Sequence, residues 1–157
     1  MTVAAEETRV KSALEHVEAI EEIADSLGEE DARRAKLLRI ASSLLADIGP
    51  LRPSVAARLL QLSEPTVRTW AREGVLTTAE QESKRPLLDP HRVHQVMHLV
   101  RDLRAAGRER NLLEAVWYRL SDRALLDRED LQESLEQMRR GEGRVLTSED
   151  LERRPVA

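Results

Sequence analysis

The chain has 157 residues, of which 41% are hydrophobic and 34% charged, a balance that suits a helix-rich globular protein of one domain or two small ones. It contains no cysteine, which excludes disulfides, thiolate metal sites and cysteine nucleophiles and fits a reducing cytoplasm. The net charge of −4 is unevenly spread: residues 1–50 hold 6 basic and 11 acidic side chains, residues 51–110 hold 11 and 7, and residues 111–157 hold 8 and 11.

Phe is absent and aromatics total 2%, so burial must rest on Leu, Val, Ile and Ala, which points to an all-α architecture with at most a small wing. No apolar run approaches the roughly 20 residues that span a bilayer. With Glu6 and Glu7 near its start, the N-terminus does not read as a signal peptide. A cytoplasmic protein without membrane contact is expected.

Val10, Leu14, Val17, Ile20, Ala24 and Leu27 form one stripe of a helix from about Glu6 to Leu27, stopped by Gly28. Ala35, Leu38, Ala41, Leu44, Leu45 and Ile48 mark a second helix from about Glu30 to Asp47, closed by Gly49-Pro50. Residues 1–50 therefore read as a helical hairpin. It either packs on its own chain or pairs with its counterpart in a second subunit, and a homodimer is the favoured expectation.

Pro53 and Ser54 open a short helix from Val55 to Leu60, and Gln61-Leu62-Ser63 form a turn. Ser63 then reads as the N-cap of another short helix, with Pro65 in its first turn and Gly74 as its stop. Val67, Trp70 and Ala71 point inward, while Thr66, Arg68, Thr69 and Arg72 are placed to reach a major groove, the geometry of a helix-turn-helix. The positive middle third of the chain holds this pair, as contact with phosphates requires.

The stretch Thr66-Val67-Arg68-Thr69-Trp70-Ala71-Arg72-Glu73-Gly74-Val75-Leu76 resembles the opening motif of MerR-type and excisionase-type winged helix-turn-helix regulators. The likeness covers roughly Pro53 to Gly107, and so a DNA-binding domain over residues 51–107. It implies that the second helix enters the major groove, that a following wing touches the backbone, and that a further helix supports both. Thr77 to Leu88 is then the wing, with Lys84 and Arg85 seeking phosphates, and Asp89 caps a supporting helix that starts at Pro90. The chain departs from the family at Thr69, where an aromatic is usual, and in a wing without the glycine-plus-arginine pattern. Ser63, Thr66, Arg68, Thr69, Arg72, Lys84 and Arg85 are the candidate DNA contacts.

On the supporting helix, Val93, Val96, Met97, Val100 and Leu103 form the apolar face, and His91, His94 and His98 are expected on the side away from it. They read as solvated or DNA-proximal. A metal site is not expected from them, because the outer two are two turns apart on one helix and no thiolate is available. No cofactor is implied.

Residues 108–157 read as C-terminal helices and a tail. Leu112, Leu113, Val116, Trp117 and Leu120 form one apolar face; Asp127 is the expected cap of a helix from Glu129 to Arg140 with Leu131, Leu135 and Met138 on one side; Gly141 and Gly143 then break it. The segment resembles the C-terminal portions of bacterial antitoxins, in which a DNA-binding front half is joined to a toxin-wrapping end. The resemblance implies a protein that represses its own operon while covering a toxin encoded nearby, with Leu135, Met138, Arg144, Val145 and Leu146 as partner contacts. A frayed end docked on the same chain is the plainer alternative.

The chain has no phosphate-cradling glycine loop, no H-E-x-x-H and no G-x-S-x-G, so no enzymatic activity is expected. The sequence thus points to a dimeric repressor of double-stranded operator DNA, in the antitoxin role. The alternative is a protein-interaction adaptor that uses the same fold without specific DNA binding.

Overall fold

The computed structural model describes residues 1–79 and 85–141, and among them the chain is helical, with two isolated bridges and no strand. The helices are α1 (Val3–Asp25), α2 (Ala32–Ile48), α3 (Pro53–Leu60), α4 (Glu64–Arg72), α5 (Pro90–Ala105), α6 (Leu112–Leu126) and α7 (Glu129–Arg139). None of them is long and apolar enough to cross a membrane.

Local capping sets the boundaries of the N-terminal hairpin. α1 starts before Glu6 because the Thr2 hydroxyl accepts the Ala5 N–H at 3.2 Å. It ends at Ser26, two residues before the expected Gly28, where the hydroxyl donates to the Ile23 carbonyl at 2.6 Å. α2 starts after Glu30 because Asp31 takes the N-cap, accepting the Arg33 N–H at 2.9 Å. The Arg33 side chain on the same carboxylate lowers the Asp31 pKa to about 2.

The hairpin docks on its own chain. Val10, Leu14, Val17 and Ala24 of α1 and Ala41, Leu45 and Ile48 of α2 are buried. α1 packs against α2 and α3, and both α2 and α3 pack against α5. Two acidic side chains of α1 hold basic groups of the next segment: Glu6 accepts from Arg52, and Glu7 accepts from Arg58 at 2.7 Å. Ile23 and Ile40 of the hairpin stay largely exposed.

Between α3 and α4 the chain turns at Gln61, in the left-handed region at φ 53°. Arg104 on α5 donates to the Leu60 carbonyl at 2.8 Å and to the Gln61 carbonyl at 2.9 Å, so one guanidinium satisfies two acceptors that the end of α3 leaves open. Bonds from a charged donor contribute about 1.5–3 kcal/mol each when well formed. The turn is thereby fixed to the supporting helix.

The segment expected to form a wing leaves α4 and returns antiparallel. Leu51 and Leu88 exchange backbone bonds at 2.9 and 2.8 Å, Ala79 donates to Leu87 at 2.8 Å, and Asp89 donates to Thr77 at 2.9 Å. These bonds make isolated bridges, Leu51 with Leu88 and Thr78 with Leu88. Lys84 lies outside the described residues.

The chain divides into two compact units, Met1–Trp117 and Tyr118–Ala157, so the hairpin and the α3–α4 segment share one unit. In the first unit Leu112, Ala115 and Val116 of α6 are buried, but Trp117, expected on the apolar face, is 41% exposed. In the second unit α7 starts after Arg128, not after an Asp127 cap, and no side chain caps it. Leu135 is half-buried and Met138 exposed. Arg144, Val145 and Leu146 lie outside the described residues, as does the side chain of Leu131.

Candidate nucleic-acid interface

α4 owes its position to a strongly two-sided sequence. Val67 and Trp70 are 0% and 3% exposed, while Ala71, expected to point inward with them, is only half-buried. Ser63 caps the helix as its sequence suggests, accepting the Thr66 N–H at 3.2 Å and lying 2.7 Å from the Thr66 hydroxyl. At the other end Gly74 adopts φ 82°, a conformation that strains any other L-residue, and the N–H groups of Val75 and Leu76 then fold back onto the Trp70 carbonyl at 3.0 and 3.2 Å. Val75 and Leu76 are fully buried, which locks the helix end into the core.

The outward face carries Arg68, Thr69 and Arg72. Arg68 pairs with Glu64 one turn earlier at 2.6 Å, with 53% and 41% of the two side chains exposed. Arg72 donates to the Thr69 hydroxyl at 3.0 Å, and that hydroxyl donates to the Pro65 carbonyl at 3.1 Å. The face is thus ordered within the helix itself. Sequence reasoning missed Glu64, although its i, i+4 spacing from Arg68 is a legible pairing signal.

This face borders an open concavity of about 470 Å³ that is also lined by Pro53, Pro65, Thr78, Pro86 and Leu88. Arg85, the described half of the expected wing pair, is exposed beside it in sequence. Elsewhere in the positive segment, Arg52, Arg58 and Arg101 are matched by Glu6, Glu7 and Glu18 of α1. The acidic hairpin therefore neutralises basic groups on its own side, whereas Arg68 and Arg72 of α4 are exposed and bonded only within their own helix.

The histidines do not lie on one solvated stripe. His91 Nε2 sits 3.1 Å from the Ser42 carbonyl of α2. His94, expected on the polar side, is buried at 5% exposure, with Nε2 3.0 and 3.1 Å from the two carboxylate oxygens of Glu21. His98 Nε2 is 3.2 Å from His94 Nε2, and the rings meet edge to face with centroids 4.4 Å apart. Burial, and then the adjacent His94, lower the His98 pKa from its ordinary value. The reason the expectation failed is that α5 is covered on more than one side: Leu99 is also buried, off the face read from the sequence.

In comparisons with known proteins, the chain matches no family model, no curated protein sequence and no solved structure.

Proposed function

We propose that the chain is a sequence-specific, double-stranded DNA-binding transcriptional regulator that presents α4 to the major groove. The observation that carries this reading is the two-sidedness of α4: Val67 and Trp70 anchor it in the core, and Arg68, Thr69 and Arg72 stand outward beside a concavity. Ser63 and Thr66 at its first turn are the contacts nearest the backbone, and the Thr77 to Leu88 segment acts as the wing, with Lys84 and Arg85 on phosphates.

The exchange at Arg68 is energetically easy. An exposed i, i+4 pair contributes about 0.3–0.5 kcal/mol, whereas a good bidentate contact to a base edge discriminates by about 1–3 kcal/mol. Arg68 leaves Glu64 for a guanine when the helix enters the groove. A second copy of the chain reads the second half-site, and repression follows from occupancy of the protein's own operator.

The same reading extends to an autorepressing antitoxin, whose C-terminal unit meets a toxin through Leu135, Met138, Arg144, Val145 and Leu146. Met138, 63% exposed on α7, favours a partner surface there. If the chain is instead an adaptor, α4 docks a protein and has no preference among DNA sequences.

The interface is tested by titrating a duplex from upstream of its own gene into isotope-labelled protein and following backbone amides by NMR. The largest perturbations are expected over Ser63 to Arg72 and around Arg85. Perturbations confined to α1, α2 or α7 would refute the assignment of α4.

A further inference from the structure

The geometry points to a divalent transition-metal site, suited to Zn²⁺, in which His94 and His98 of α5 and Glu21 and Glu18 of α1 supply the ligands. It is separate from the α4 face and does not depend on DNA binding.

Three donor atoms already stand at the corners of a near-equilateral triangle. His94 Nε2 and Glu21 Oε2 are 3.0 Å apart, the two Nε2 atoms 3.2 Å, and His98 Nε2 and Glu21 Oε2 3.6 Å. Zinc holds nitrogen and oxygen ligands at about 2.0–2.2 Å, which places tetrahedral ligand atoms roughly 3.3–3.6 Å from one another. The observed edges match one face of that tetrahedron within a few tenths of an ångström. Glu18 is near enough to be drawn in as a fourth ligand: Glu18, His94 and His98 each offer one ligand atom, and these atoms lie within 4.8 Å of one another. Arg101 orients the Glu18 carboxylate through a 3.1 Å bond to Oε1.

A proton and a metal ion compete for this arrangement. If His94 Nε2 carries the proton, its single N–H is shared between the Glu21 carboxylate and the His98 Nε2 lone pair at 3.2 Å. If it accepts from His98, its lone pair faces the Glu21 carboxylate at 3.0 and 3.1 Å. Whichever tautomer holds, His94 Nδ1 is buried without a hydrogen-bond partner. A cation at the centre of the triangle takes both imidazole lone pairs and the carboxylate together.

The missing acceptor on His94 Nδ1 sets the expected strength. Metal-bound histidines ordinarily donate their second N–H, and loss of that partner weakens binding by about 10–100-fold. The site is therefore expected to be readily emptied by a chelator. Filled, it ties α1 to α5, the helix whose Arg104 fixes the turn between α3 and α4.

The test is calorimetric titration of Zn²⁺ into chelator-treated full-length protein, with thermal melting at a hundredfold excess over the measured Kd. One Zn²⁺ per chain, a Tm raised by about 5–10 °C, and a visible Co²⁺ spectrum of tetrahedral type are expected. His98→Ala and Glu18→Gln should each weaken binding about tenfold or more. Both side chains are partly exposed, so the metal-free variants are expected to keep the wild-type circular dichroism. Absence of binding overturns the site, as does binding that persists in His98→Ala or disappears in His91→Ala.

Discussion

Trp70→Ala is expected to lower stability by about 3–5 kcal/mol, the range for removing a large buried aromatic side chain. The ring is 3% exposed, and the residue's carbonyl also receives the two N–H groups that turn the chain after α4. Against a usual total of about 5–15 kcal/mol, that loss removes much of the stability of the fold. Urea denaturation checks it: the midpoint should fall while the slope stays the same. A loss under about 1 kcal/mol would mean that α4 is not anchored by this residue, and the outward placement of Arg68 and Arg72 would fall with it.

The second large effect is expected in binding. Arg68→Ala should cost about 1–3 kcal/mol of discrimination between operator and unrelated DNA, some 5- to 150-fold. Lys84→Ala should weaken all sequences alike and reduce the dependence of log K on log salt by about one unit, because a phosphate contact carries no base information. Anisotropy titrations of both variants on both duplexes separate the two outcomes. Equal effects at the two positions would contradict groove entry by Arg68.

Local signals were the most legible in the sequence. Ser63, Pro65 and Gly74 fix where α4 begins and ends, and Asp89 caps α5 by accepting the N–H groups of His91 and Arg92, all as their residue types suggest. Capping of this kind is a matter of three or four neighbouring residues, so spacing alone reveals it. The start of α1 was misplaced for a related reason: Thr2 is a cap, but the apolar stripe that draws attention to the helix begins only at Val10.

Long-range relations were not legible. Glu21 meets His94 across 73 positions, Glu6 meets Arg52 across 46, and Arg104 reaches the carbonyls of Leu60 and Gln61 across 44 and 43. None of these follows from periodicity, which describes one face of one helix at a time. A helix covered on several sides, as α5 is, buries residues that a single stripe assigns to solvent. A single stripe therefore puts His94 on the polar side, while the cluster around it depends on Glu18 and Glu21, which α1 supplies from far away in sequence.

The candidate interface was more legible than the histidine cluster because it is built within one short segment. Its side chains Arg68, Thr69 and Arg72 lie on one face of α4 by helical geometry alone, opposite the buried Val67 and Trp70.

The most direct measurement is the affinity of the purified protein for DNA upstream of its own gene against a scrambled duplex, at two salt concentrations, with and without the product of the neighbouring gene. The account predicts a preference for the upstream duplex that persists at the higher salt while both affinities fall, and that is strengthened by the neighbour if the antitoxin reading holds. Equal affinity for the two duplexes at both salt concentrations would contradict it and favour the adaptor.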